Sequence, residues 1–208
     1  FAPDDTEGWT DVANQFITIH NHTYNAEKKL NYHGWSAAPT DANSFWANRE
    51  GNFKGCSSEF WGRGMGWYFA ALVDVLEVMP ESHVNYTDLK EILSQVAEGL
   101  KQWQDDESGV WYQLLQYDDS FVGTCGIKNY LEASASCMFT YSYLKGLRLG
   151  LLDESYRPIA EKAYNGVIKT FVTENEDKTL NLNFSCRSAG LGPKKSPSRD
   201  GSASYYLC

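Results

Sequence analysis

Thr87-Asp-Leu-Lys-Glu-Ile-Leu-Ser-Gln-Val-Ala-Glu-Gly-Leu-Lys-Gln-Trp103 runs through Gln104 into Asp105-Asp-Glu-Ser-Gly109 and then Val110-Trp-Tyr112. Leu89, Ile92, Leu93, Val96, Leu100 and Trp103 recur at three- and four-residue intervals, which puts them on one face of an α-helix. Thr87 or Asp88 supplies a cap for its first N–H groups. A polar turn and a short extended, ring-bearing stretch follow. The unit is therefore helix, turn, extended stretch, and it recurs. Residues 9–24 read as a helix with Val12, Phe16 and Ile19 at core spacing, followed by Asn25-Ala-Glu-Lys-Lys29 and Leu30-Asn-Tyr32. Residues 155–171, with Ile159, Ala163, Val167 and Phe171 on one side, lead into Asn175-Glu-Asp-Lys-Thr179 and Leu180-Asn-Leu182. The extended stretches begin at positions 30, 110 and 180. That period is longer than most solenoid repeats and suits a helical hairpin plus a long loop, repeated around a ring.

Two further helices fall between these units: residues 58–79, stopped by Pro80, and residues 130–150, closed by a glycine. Their starts, Trp61-Gly-Arg-Gly-Met-Gly-Trp67 and Glu132-Ala-Ser-Ala-Ser136, are rich in small residues, which let helices approach closely around an axis or let a ligand reach the backbone. They read as inner helices, with the other three outside. Helical hairpins stacked in this way give an all-α, α/α toroid. Residues 1–208 form one domain holding roughly three hairpins, only part of a ring.

The chain has 208 residues, 42% hydrophobic and 22% charged, as a water-soluble globular domain requires. Its formal net charge of −9 argues against nucleic acid and anionic membrane as partners, and no apolar run is long enough to span a bilayer. An acidic surface still tolerates a small anionic sugar held by a few cations in a cleft. Aromatic residues reach 14%, with 7 Trp and 13 Tyr. Ring faces fill cores and also stack on the C–H faces of pyranoses. The five cysteines, Cys56, Cys125, Cys137, Cys186 and Cys208, lack C-x-x-C spacing, so no metal site is expected; at least one stays unpaired within the chain. Three N-glycosylation triplets, at Asn21, Asn85 and Asn183, point to an extracellular, secreted protein in which a disulfide is allowed. Phe1-Ala-Pro reads as a cut or processed start.

Three segments carry chemistry-bearing side chains. His33 sits among aromatics in Tyr32-His-Gly-Trp35, at the position that Gln113 and Asn183 occupy in the other two units, which fits a shared structural hydrogen bond or a special role. Arg63 and Trp67 are four apart on one helix face. A guanidinium fork beside an indole cradles a uronate, or the two stack on each other as a cation–π pair. The tail, Cys186 to Cys208, is a Gly- and Ser-rich loop leading toward another helix; it closes over a pocket or simply connects. The carboxylates within reach are Glu59, Glu132 and Asp200, and no pair of them is marked out by spacing for glycosidase chemistry.

At Tyr32-His-Gly-Trp35, Ser58-Glu-Phe-Trp-Gly-Arg-Gly-Met-Gly-Trp67, Asn129-Tyr-Leu-Glu-Ala-Ser134, Ala189-Gly-Leu-Gly192, Arg199-Asp-Gly201 and Tyr205-Tyr206, the chain resembles glycoside hydrolase family 105, the unsaturated rhamnogalacturonyl hydrolases. Family 88, the unsaturated glucuronyl hydrolases, is a more distant likeness. The segments run in family order over essentially the whole chain, and Trp-Gly-Arg-x-x-Gly-Trp is the most specific of them. The resemblance implies an (α/α)6 barrel and hydration of a C4=C5 double bond in a terminal uronic acid, left there by a polysaccharide lyase. An aspartic acid protonates C4, water adds at C5, and the hemiketal opens to release the sugar; no metal or organic cofactor is needed. The implied partner is an unsaturated uronyl-rhamnose oligosaccharide derived from pectin, with His33, Arg63 and Trp67 lining the pocket and Trp35 and Tyr32 as neighbours. The resemblance places the catalytic aspartate before Phe1, so no catalytic residue is expected within the chain. It also expects an inner helix after Tyr206. Ser36 stands where many relatives have Asp, and the long loop of residues 36–56 is a further departure. Two alternatives share these residues: an inactive sugar-binding fragment, and an unsaturated glucuronyl hydrolase of the family 88 type.

Overall fold

The computed structural model describes residues 4–208, so the Phe1-Ala-Pro start lies outside the described residues. The elements are α1 (Thr6–Thr23), β1 (Tyr24–Asn25), β2 (Leu30–Asn31), α2 (Gly62–Val78), α3 (Tyr86–Gln102), α4 (Ala133–Arg148), α5 (Arg157–Phe171), β3 (Val172–Glu174), β4 (Leu180–Leu182) and α6 (Ala203–Leu207). The two inner helices, α2 and α4, pack side by side. α3 lies against both α1 and α2, and α5 lies against α4. This is an all-α architecture of hairpins in which α1, α3 and α5 form the outer layer. The short α6 packs Tyr206 and Leu207 in a second cluster with Trp61 and Leu114.

The apolar stripe of α3 is the centre of the core: Leu89, Leu93, Val96 and Leu100 are fully buried, and Ile92 nearly so. Two rings lock it to the inner layer. Tyr143 of α4 donates its hydroxyl to the Ala97 carbonyl at 2.6 Å, and Trp111 donates its indole N–H to the Leu100 carbonyl at 2.7 Å. Phe69 of α2 meets Tyr143 edge-on at 5.1 Å, and Phe139 meets Trp111 the same way. The glycines of α2 serve packing. A Cβ at Gly62 would stand 3.1 Å from the Ala135 Cβ, and one at Gly66 only 2.7 Å from the Met138 Cε. Gly64 instead gives room to the His33 ring, whose Cδ2 would be 3.3 Å from an added Cβ.

Several sequence expectations are corrected. α2 and α4 start four and three residues later than their apolar patterns, because the residues before them are drawn into extended pairing. Trp61 bridges Leu114, and Leu131 bridges Tyr112. The N-cap position of α3 is Asn85, whose side chain makes no cap to the helix, in place of Thr87 or Asp88. On α1 the buried face carries Trp9, Ala13 and His20; Ile19 is 40% exposed and Val12 only partly covered. α1 therefore turns its Val12–Ile19 edge away from α3, along a groove shared with α2.

The repeated turns dock in a regular way. β1 and β2 pair antiparallel, Tyr24 with Asn31, and β3 with β4 likewise, Val172 with Leu182. The middle turn closes through Asp105 N–H donating to the Val110 carbonyl at 2.9 Å. The first turn presents the Lys29 carbonyl to Gly99 of α3, and the second presents the Ser108 carbonyl to Gly166 of α5; a Cβ on either glycine would overlap that oxygen. Lys29 itself lies at φ 55°, in the left-handed region. In an ordinary helix interior Gly→Ala gains about 1 kcal/mol. Gly99→Ala is expected to reverse that sign and lose about 1–3 kcal/mol, because backbone and not a flexible side chain must move. Urea denaturation of the variant checks this, and a gain in stability would show that the notch does not hold the turn.

Candidate active site

Tyr32, His33 and Trp67 line one cavity of about 310 Å³ between α1 and α2, together with Phe16, Asn31 and Tyr68. β2 and the two residues after it deliver Asn31, Tyr32 and His33, and the second turn of α2 delivers Trp67. Trp67 is 66% exposed, so its ring face is free to meet a ligand. Tyr32 is backed by Phe60, ring on ring at 4.3 Å. Its hydroxyl accepts from the Asn25 amide at 3.1 Å, so it is held rigidly. The Asn31 Oδ1 is buried without a partner among the described residues, while its amide donates to Thr23 at 2.9 Å.

His33 is wedged between Trp61 and Tyr206. Its Nδ1 lies 2.6 Å from the Tyr206 hydroxyl, and burial pushes the imidazole down to about 4. The residues that match it in the other units do make structural bonds. Gln113 accepts from the Trp61 indole at 3.3 Å and donates to the Tyr206 carbonyl at 3.0 Å, and Asn183 donates to the Phe171 carbonyl at 3.1 Å. His33 departs from that pattern by reaching a side chain 173 positions away.

Arg63 does not line this cavity. Its Nε donates to the Ser134 hydroxyl at 2.8 Å and its Nη2 to the Cys186 carbonyl at 2.6 Å, with the Glu132 carboxylate 3.7 Å away. The guanidinium thus bridges α2, the start of α4 and the tail, leaving Nη1 without a hydrogen bond among the described residues. Trp35 is also elsewhere: it stacks on His22 at 3.7 Å and bridges Cys56. Ser36 bonds Ser44 at 2.8 Å within its own loop. The tail packs over that loop, with Leu191 against Gly34 and Gly192 against Trp46, and ends in α6. A disulfide joins Cys125 to Cys208, both exposed, while Cys56, Cys137 and Cys186 are free.

None of the three candidate carboxylates lines the cavity. Glu132 is fully buried and caps α4, accepting from Ser134 and Ala135 N–H at 3.0 and 2.7 Å. Asp200 is exposed and accepts from Ser202 N–H at 3.0 Å in the turn before α6. Glu59 is buried against Gln116, and burial pushes its carboxyl up to about 7 despite hydrogen bonds from Gln116, Tyr117 and the Ala203 backbone. Among the described residues, no three His, Cys, Asp or Glu side chains gather as a metal would require.

Glu59 and His33 give opposite pH dependences. Folded Glu59 holds its proton to about 7, against 4.5 when unfolded, so the native state binds more protons and its contribution to stability falls as pH rises through that window. Folded His33 resists protonation down to about 4, against 6.5 when unfolded, so its contribution grows as pH rises from 4 to 6.5. The two slopes largely cancel where they overlap. Glu59→Gln removes the first, and its amide N–H can meet the unpartnered Gln116 Oε1. The variant is expected to exceed the wild type by about 2–3 kcal/mol above pH 7, and its stability is expected to climb between pH 4 and 6.5. Urea midpoints across pH test both, and equal stability above pH 7 would contradict the account of Glu59.

The sequence profile of Glycosyl Hydrolase Family 88 matches residues 4–206. The chain belongs to Glycosyl Hydrolase Family 88. Within the group related to that family, a family 105 glycoside hydrolase from C. acetobutylicum ATCC 824 superposes on 98% of this chain with a TM-score of 0.85 and 39% identity, and 52% of its own length is covered. The family 88 chain therefore spans about half of that six-hairpin structure. The 24.9 kDa protein in picA locus of Rhizobium radiobacter is 32% identical over 182 residues, 86% of this chain and 72% of its own. An unsaturated 3S-rhamnoglycuronyl hydrolase of Alteromonas sp. (strain LOR) is 33% identical over 111 residues, 53% of this chain and 25% of its own. The family match covers the α2 segment and the tail alike.

Proposed function

We propose that this chain is part of a glycoside hydrolase that removes an unsaturated uronic acid from rhamnogalacturonan oligosaccharides by hydrating its C4=C5 double bond. The observation that carries the reading is the cavity in which Trp67 stands exposed opposite Tyr32 and His33, on a family 88 scaffold. A flat indole and a tyrosine ring suit the faces of a half-planar unsaturated pyranose. Arg63 supports the site indirectly, by fixing α2 to the start of α4 and to the tail. In this reading an aspartic acid outside the present sequence protonates C4 and assists water at C5, and its product, a hemiketal, opens to free the rhamnose. The neutral His33 donates to or accepts from the sugar without competing for that proton. We also propose an extracellular location, supported by the Cys125–Cys208 disulfide and by the exposed Asn21 side chain on α1.

The test uses the complete protein with lyase-treated rhamnogalacturonan, following loss of the unsaturated uronate absorbance. Turnover is expected, and Trp67→Ala is expected to lower kcat/KM by about two- to tenfold, since stacking on a ring contributes about 0.5–1.5 kcal/mol, while leaving the melting temperature nearly unchanged. An unsaturated glycosaminoglycan disaccharide is the control. Turnover of that sugar alone moves the substrate to the glucuronyl hydrolase class, and turnover of neither leaves only a sugar-binding role.

A further inference from the structure

The contact between His33 and Tyr206 joins the lining of the cavity to the last helix of the described chain, 173 positions later, at 2.6 Å. Both groups are held neutral by burial, which pushes the imidazole down to about 4 and the phenol above its usual range. Two neutral groups share one hydrogen in such a contact. In one arrangement Nδ1–H donates to the phenol oxygen, and the phenolic hydrogen has no other acceptor among the described residues. Stranding a buried hydroxyl hydrogen carries the full desolvation cost of that group. In the other arrangement the phenol donates to Nδ1, and its hydrogen is satisfied. The ring hydrogen then sits on Nε2, which makes no hydrogen bond within the described chain, on a ring that lines the cavity. The tautomer of a histidine is set in this way by the bond its second nitrogen makes.

Tyr206 is well placed to impose that choice. It is only 5% exposed. Its ring stacks on Trp61 at 5.7 Å, its carbonyl accepts from Gln113, and the disulfide at Cys208 ties down α6 two residues on. The phenol therefore has little freedom to rotate away. We propose that Tyr206 is a positioning residue that locks His33 as the Nε2–H tautomer, so that the imidazole offers the cavity a hydrogen-bond donor for an acceptor oxygen of an acidic sugar. The identity of the sugar rests on the function proposed above; the tautomer does not.

Nitrogen NMR of histidine-labelled full-length protein at neutral pH reads the tautomer directly. The His33 signals are expected to show a protonated Nε2 and a bare Nδ1. Tyr206→Phe is expected to shift them toward the other tautomer, and to raise the KM for the unsaturated disaccharide about tenfold with less change in kcat, the loss expected for one hydrogen bond. His33→Gln carries its own amide donor, so adding Tyr206→Phe to it is expected to leave KM within about twofold, the mark of a role exerted through the histidine. A protonated Nδ1 in the wild type overturns the inference whatever the sugar, and needs no variant to fold. A protonated Nε2 in a protein that turns over no unsaturated sugar upholds the positioning role and removes the proposed function.

Discussion

Glu132→Ala is expected to lower the stability of this protein by about 3–5 kcal/mol, the cost of removing one partner from a buried ionic cluster. The side chain is fully buried. Its two oxygens accept from the Ser134 and Ala135 N–H groups, from the Ser134 hydroxyl, and from Cys186 N–H at 2.8 Å. Alanine leaves the first N–H groups of α4 and that of Cys186 without an acceptor, and each buried donor so stranded costs about 1–3 kcal/mol. It also leaves the Arg63 guanidinium, 3.7 Å away, facing a void where its counter-charge stood. The loss should appear as a lower urea midpoint with an unchanged slope. Glu132→Gln, which keeps an acceptor oxygen, should lose clearly less. A Glu132→Ala protein within about 1 kcal/mol of the wild type would show that the tail is held by something else.

Cys125→Ser is expected to cost about 2–4 kcal/mol. The bond closes a loop across a sequence separation of 83, so it restricts the unfolded chain strongly. In the folded chain it anchors α6, which has five residues and is too short to hold its shape alone. For a domain of this size the expected fall in melting temperature is about 4–16 °C. Both cysteines are exposed, so dithiothreitol should bring the wild type to the same melting point as the variant. A reductant without effect would mean that the bond contributes nothing to stability.

The outer and inner helices were legible because their apolar residues repeat over four turns, and no local feature competes with that signal. Helix starts were less so. Nothing in Ser58–Trp61 or Tyr130–Leu131 announces that these residues pair with the 112–114 strand-like segment, since pairing partners lie about 20 to 55 positions away. The face of α1 was misread at Val12 and Ile19 because that helix is apolar on two sides, and only the position of α3 selects Trp9, Ala13 and His20. At the site, spacing put Arg63 and Trp67 on one face, which holds, but the direction of the guanidinium follows from Ser134 and Cys186, 71 and 123 positions on. Tyr206 stood in the tail with no local mark of its bond to His33. Long-range contacts of single polar atoms leave no periodic trace.

The glycine notches have a consequence for how such a ring is assembled. Lys29 seats in α3 and Ser108 seats in α5, so each of these two turns leans forward onto the outer helix of the next hairpin. The joint is directional, like a tongue entering a groove cut in the following plank. An engineer who wished to add or transplant a hairpin would therefore have to carry the recessed glycine along with the loop that fills it. Copying the greasy face of the helix alone would give a part that packs but does not register with its neighbour.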